Sequence, residues 1–443
     1  MRRLLWASIA LALAGCAVGI ELAAPPNLYS EGTNYPVNEV PLALRSVEPQ
    51  ILYITDREAV REGGEVVGYS ATRSDAMVFG AAKVRFGARD WPDLIERTHV
   101  DRRGRISNLS LMGVHEQVSF DALPLPDERR DGGLRVLPAA EQSYEEGRRA
   151  FQARIRAEIA RTGNRRILVY AHGIANNFED SVTALANIWH FAGRQSIPLA
   201  FSWPAGNRGP LGYFRDRAAG DFSVFHAKEF LRTLAEMPEV ESIDIVAHSR
   251  GTDVITQALR EMIIFQRGRG VPPKLGMKTG TLILAAADLD TGIVRQRLLA
   301  ERFSEAFEQV SIYVNPDDRA LKLSSFVTKS GRIGTLAGDT FTSDDVRRLA
   351  KEGLVFFIRV QGAGRTNSHS YFRQNPAVLS DIVLTLRTRA FPGGTLRPLD
   401  AEDDGFWLLR ANYPLERLPD LSTVYDELSD AFPDRIRRVE RVR

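Results

Sequence analysis

From residue 166 onward, short apolar runs rich in β-branched residues alternate with helix-patterned segments, and this alternation restricts the architecture more than any other feature of the chain. "RILVYAHG", "PLAFSWP", "SIDIVAHS", "TLILAAADLD", "QVSIYVNPDD" and "LVFFIRV" read as buried strands. Between them, "EDSVTALANIWHFAG", "VFHAKEFLRTLAEM", "TDVITQALREMIIF" and residues 294–307 carry apolar residues at helical spacing, and "AVLSDIVLTLR" closes the series. Repeated strand, helix, strand predicts an α/β fold: a mostly parallel central sheet with helices on both faces, because parallel neighbours need a long crossover. Upstream, strand-like runs lie at 50–55, 77–86 and 117–120. An amphipathic helix is expected over 144–161, with Phe151, Ile155 and Ile159 on one face.

Composition sets outer bounds. The 443 residues are 44% hydrophobic and 26% charged, enough for a large core, and the net charge of +2 offers no global field for nucleic acid. At the N-terminus, Arg2 and Arg3 precede an apolar run over 4–14 that is too short to span a bilayer and has secretory-signal form. The run ends in Leu13-Ala14-Gly15-Cys16, which resembles the lipobox of bacterial lipoproteins, and Cys16 is the only cysteine in the chain. The resemblance implies cleavage before Cys16, acylation of that residue and, with Ala17 following, an outer-membrane lipoprotein facing the periplasm. Several acyl chains on one residue anchor stably, at about 0.8 kcal/mol per buried methylene.

The expected domain plan is a signal peptide over 1–16, a tether over 17–45 containing Pro25, Pro26, Pro36 and Pro41, a domain over 46–390 and a C-terminal extension over 391–443. The extension reads as loop-rich and ends in a basic run, Arg435 to Arg443, that suits a solvated face.

Within "DIVAHSRGTDV", Ser249 stands between the end of a strand and the start of a helix, with Ala247 and Gly251 two residues to either side. This is the setting of the G-x-S-x-G elbow, in which little bulk around a serine on a strained turn leaves its hydroxyl exposed. Ala247 replaces the first glycine. A helix-capping serine has the same local sequence, so the remaining chain must decide.

A nucleophilic serine in this architecture is followed by an acid and then a histidine. Of His99, His115, His172, His190, His226, His248 and His369, only His369 lies after Ser249. It falls in the polar stretch "GRTNSHSYF" after the "LVFFIRV" strand, where a side chain can reach across the carboxyl ends of the strands. Three acids compete: Asp318 is favoured, Asp288 is next and Asp317 third, while Asp253 and Asp290 read as helix-start carboxylates. His172 and Gly173 end the first of these strands, and the amide of Ile174 after them pairs with that of Arg250 as a candidate oxyanion hole. His248 is expected to point away from Ser249 and to support it. Residues 204–221, with Tyr213, Phe214 and Arg215, are expected to be a loop bordering the pocket.

These pieces, with "LYITDRE", "VYAHGIANNFED", "GYFRD", "YVNPDDRALKLS" and "LSDI", resemble the α/β-hydrolase superfamily, and within it a bacterial esterase-like family catalogued as a domain of unknown function. The likeness spans roughly residues 50–390. It implies that Ser249, Asp318 and His369 act together, with Arg250 departing from the neutral residue usual after the serine. The expected activity is carboxylic ester hydrolysis on a small-molecule or lipid ester; the alternatives are an acyltransferase and a noncatalytic binding lipoprotein. No H-E-x-x-H spacing, P-loop or dinucleotide fingerprint is present, so neither a metal nor a cofactor is expected.

Overall fold

The computed structural model describes residues 22–29, 35–99, 108–209, 211–336, 343–362, 369–419 and 421. Cys16, the signal segment and the basic run from Arg435 lie outside the described residues. The strands are β1 (Gln50–Glu62), β2 (Glu65–Arg85), β3 (Ser110–Ser119), β4 (Asp127–Arg130), β5 (Gly133–Val136), β6 (Arg166–Ala171), β7 (Ile197–Ser202), β8 (Ser242–His248), β9 (Thr279–Ala285), β10 (Gln309–Val314), β11 (Val355–Val360), β12 (Asp400–Ala401) and β13 (Phe406–Leu409).

Eleven of them form one sheet in the order β12-β13-β11-β10-β9-β8-β6-β7-β1-β2-β3, and β4 and β5 pair only with each other. From β1 to β13 across the centre the neighbours are parallel; β2, β3 and β12 add antiparallel margins. The sheet is covered on both sides, as buried parallel strands demand. Ile243, Ile245 and Ala247 of β8 join a core with Val254, Ile255 and Leu259 of the helix Gly251–Gly268. Val246 faces the opposite core, with Val182 and Leu185 of the helix Phe178–Phe191 and Leu379 and Ile382 of the helix Pro376–Thr388. This is the α/β-hydrolase fold.

Two expected boundaries fail. Leu28, Tyr29, Tyr35, Val40 and Leu44 are buried, the Leu28 amide donates to Ser380 Oγ at 3.1 Å and Tyr29 Oη donates to the Phe191 carbonyl at 2.6 Å. Part of the expected tether thus belongs to the core: turns after Pro26, Pro36 and Pro41 fold it back, and its apolar residues cover a helix face. At the other end the sheet continues past residue 390, because β13 pairs in parallel with β11, so "LVFFIRV" is not the last strand. Arg397, fully buried, grips Asp381 in two hydrogen bonds of 2.9 and 2.8 Å, and Tyr413 and Tyr313 donate to the same carboxylate. Such pairing lies far apart in the chain and leaves no periodic trace.

Two helical assignments also shift. Residues 212–221 belong to the helix Gly212–Ala235 rather than to a loop. The helix expected over 294–307 is a broken series: a short turn at Thr291–Ile293, a π-helical stretch Val294–Leu299 and a 3₁₀ turn Phe303–Ala306.

The chain leaves β6 for β7 on one side and returns to β8 on the other. Their carboxyl ends therefore flank a topological switch point, where loops diverge and open a crevice.

Candidate active site

Ser249 stands at that crevice, directly after β8, with φ of +52°. A non-glycine residue there costs about 1–3 kcal/mol, and the surroundings hold it in place. Its amide donates to the Ala285 carbonyl at 3.0 Å. Its own carbonyl accepts from the Thr252 amide at 3.1 Å, the Thr252 hydroxyl at 2.6 Å and the Asp288 amide at 3.3 Å. Close approach explains the small residues: a Cβ on Gly173 would stand 2.7 Å from Ser249 Cβ, and one on Gly251 2.3 Å from the His172 carbonyl oxygen. Ala247 is fully buried between β6 and β9 neighbours, where one methyl fits.

His369 Nε2 lies 2.6 Å from Ser249 Oγ, and His369 Nδ1 lies 2.7 Å from Asp318 Oδ2. The carboxylate can only accept, so the ring carries its proton on Nδ1 and turns a free Nε2 lone pair to the serine hydroxyl. Burial disfavours the imidazolium, but the charge and hydrogen bond of Asp318 outweigh it and raise the His369 pKa above its ordinary value. Asp318 is fully buried and also caps the helix Arg319–Thr328, its Oδ1 accepting from the Leu321 amide at 3.0 Å. Both oxygens are thereby oriented. A hydroxyl in this chain of contacts can pass its proton to the ring and become nucleophilic.

The competing acids are placed otherwise. Asp288 forms a 2.8 Å ion pair with Arg332, both 3% exposed, and accepts from Ser324 Oγ at 2.8 Å. Asp317 is exposed and reaches Lys322 at 3.3 Å. Asp253 sits in the first turn of its helix and pairs with Arg250 at 2.7 Å, and Asp290 caps the turn at Thr291, its side chain accepting from the Ile293 amide. The charge on Arg250, which the sequence places beside the serine, is drawn away to Asp253 and Asp221.

His248 points its Nε2 at the His369 carbonyl, 3.0 Å away, and stacks on Phe372. Burial, foremost, holds its pKa well below the usual range, so it is a neutral donor that fixes the His369 backbone. Tyr371 Oη accepts from the Ala286 amide at 3.2 Å and donates to the Tyr313 carbonyl at 3.1 Å, tying the ends of β9 and β10 to the segment that carries His369.

Among the described residues, the amides of Ile174 and Arg250 make no internal hydrogen bond, so both are available to a ligand oxygen. The loop that carries Ile174 is held from two sides. Arg57, buried in β1, donates to the carbonyls of Asn176 at 3.0 Å and Ala205 at 2.7 Å, to Ser202 Oγ at 3.0 Å and to His172 Nε2 at 3.3 Å. Asp216 accepts from the amides of Ala175 at 2.8 Å, Gly206 at 3.1 Å and Asn207 at 2.9 Å, and so stabilises Ala175 at φ +59°. Guanidinium can only donate, so His172 carries its proton on Nδ1, 2.8 Å from the Gly173 carbonyl. The ring stacks on Trp203, and burial, followed by the charge of Arg57, pushes its pKa down to about 3. His172 is thus a neutral strut.

Sequence reasoning gave no role to Arg57, Asp216, Arg332 or Tyr371. For Arg57 a signal existed, since a cation three residues after the apolar start of "LYITDRE" must find partners if the strand is central. Asp216 lies in "GYFRD" with nothing local to mark it.

A family model for alpha/beta hydrolases of unknown function (DUF900) matches residues 147–387. The chain belongs to this family. Within this alpha/beta hydrolase, the matched span contains Ser249, Asp318 and His369. A crystal structure of a mutant of the esterase rPPE is similar over 86% of this chain and 89% of that one, with 10% identity and a TM-score of 0.28. No curated protein matches the chain. Among the described residues no cluster of His, Cys, Asp or Glu could hold a metal ion, and no helix is long and apolar enough to cross a membrane.

Proposed function

We propose that this alpha/beta hydrolase is a serine hydrolase acting on carboxylic esters. The observation that carries the reading is the continuous contact Ser249 Oγ to His369 Nε2, 2.6 Å, and His369 Nδ1 to Asp318 Oδ2, 2.7 Å, built on a serine at φ +52°. His369 takes the hydroxyl proton as Ser249 Oγ attacks the ester carbonyl. The resulting oxyanion is met by the amides of Ile174 and Arg250, and His369 returns the proton to the departing alcohol. Water, deprotonated by His369, then cleaves the acyl-enzyme and restores Ser249. Asp318 keeps the ring in the required tautomer and stabilises its charged form. With Cys16 acylated, the enzyme is held at the cell envelope, facing the periplasm, where lipid esters are at hand.

Labelling the full chain with a fluorophosphonate tests the chemistry, since the reagent modifies only activated serines. Stoichiometric labelling of wild type, lost in Ser249→Ala and in His369→Ala, is expected. A folded wild type that does not react would overturn the proposal.

A further inference from the structure

The crevice opens beside an apolar and basic rim. The helix Arg319–Thr328 starts at Asp318, and its buried side reaches inward, Ser324 touching Asp288. The chain then returns to the carboxyl end of β9, where the Gly334 amide donates to the Ala287 carbonyl at 3.1 Å. The helix therefore lies across the strand ends, and its outer side bears Phe326, 71% exposed, and Val327, 40% exposed. Tyr213 Oη, 3.2 Å from Ser324 Oγ, brings in the neighbouring helix, whose first turn exposes Phe214 by 52%. Arg215, Arg319, Lys322 and Lys329 are exposed in the same two stretches, against two exposed carboxylates, Asp317 beside Lys322 and Asp221 beside Arg250.

Asn27 lies at the same end of the sheet. Asn27 Nδ2 donates to the carbonyls of Ala411 at 3.0 Å and Tyr413 at 2.8 Å, just beyond the carboxyl end of β13. Eleven peptide steps, about 36 Å at full extension, separate Cys16 from Asn27.

We propose that this rim docks on an anionic lipid surface, with Phe214 and Phe326 entering the acyl boundary and the basic residues meeting headgroups. The proposal rests on the acylation of Cys16 proposed above. An anchor whose leash reaches the domain past Asn27, at that end, turns the carboxyl end of the sheet toward the bilayer. Apolar side chains projecting from outward helix faces, with cations between them, suit a fluid interface, which needs no matching pockets. Ester substrates held in that surface then enter the crevice without crossing water.

The test uses the full acylated chain on vesicles of phosphatidylcholine and phosphatidylglycerol brominated in the acyl chains. Tryptophan is introduced singly as Phe214→Trp, Phe326→Trp or Leu275→Trp; Leu275, 72% exposed, precedes β9 at the opposite end of the sheet. The emission added at 214 and 326 is expected to be quenched, and that added at 275 retained. Equal quenching at the three sites, or none at 214 and 326, overturns the docking. Equal quenching on vesicles without phosphatidylglycerol overturns the requirement for anionic lipid. Mass spectrometry of Cys16 scores the anchor separately: an unmodified thiol defeats the leash argument, whereas a lipidated cysteine without quenching defeats the rim. The readout is independent of Ser249 reactivity.

Discussion

The carboxyl ends of β9 and β10 make an instructive pair. The strands are parallel neighbours, each is followed closely by an aspartate, and both carboxylates are buried. Asp288, after β9, faces the guanidinium of Arg332, whereas Asp318, after β10, faces the imidazole of His369. A guanidinium keeps its charge at every relevant pH, so the first pair is a fixed brace. An imidazole gains and loses a proton near neutrality, so the second can follow the protonation of a neighbouring hydroxyl. Equivalent strand-end positions therefore carry different chemistry, and the partner rather than the position decides which.

The largest expected effect separates the two ends by rate. Asp318→Asn should lower kcat for an ester by up to ~10⁴-fold with the fold intact, while Asp288→Asn retains most of the activity. Equal losses in both variants would break the comparison. Stability should divide them the other way: Asp288→Ala leaves the buried Arg332, among the carboxylates of the described residues, only its 3.7 Å contact with Asp290 and should cost up to about 3–5 kcal/mol in urea unfolding. A loss as large in Asp318→Asn would show that both ends are braces.

The pH profile sharpens the contrast. His369 must be neutral to act as base, so activity falls as pH drops through its pKa, which Asp318 raises above the ordinary value of about 6.5. The acidic limb of wild-type kcat/KM should therefore lie above that value and move to lower pH in Asp318→Asn. Asp288 acts on His369 in the same sense but more weakly, so Asp288→Asn should shift the limb less in the same direction. The smallest effect is expected at Asp317→Asn, whose exposed pair with Lys322 should change stability by no more than about 0.5 kcal/mol.

Local pattern and the order of elements are properties of the sequence alone. The period of the apolar runs identified the parallel α/β sheet, because a strand covered on two faces must be apolar throughout. The strand-to-helix switch around Ser249 marked the elbow, and chain order singled out His369 as the only histidine downstream. Partner choice was decided only in three dimensions. Asp288 and Asp318 have nearly the same local context, and their separation depends on Arg332 and His369, which come from loops distant in the chain. The support of the Ile174 loop by Arg57 and Asp216 likewise joins β1, β6 and the Gly212–Ala235 helix, elements whose proximity no sequence period encodes. The margins of the domain failed for the same reason. Prolines and short runs resemble a tether or a tail until the burial of Tyr29 and Arg397 reveals a core they complete. Periodicity reports which face a residue turns inward; which side chain waits there is fixed by long-range packing and charge complementarity.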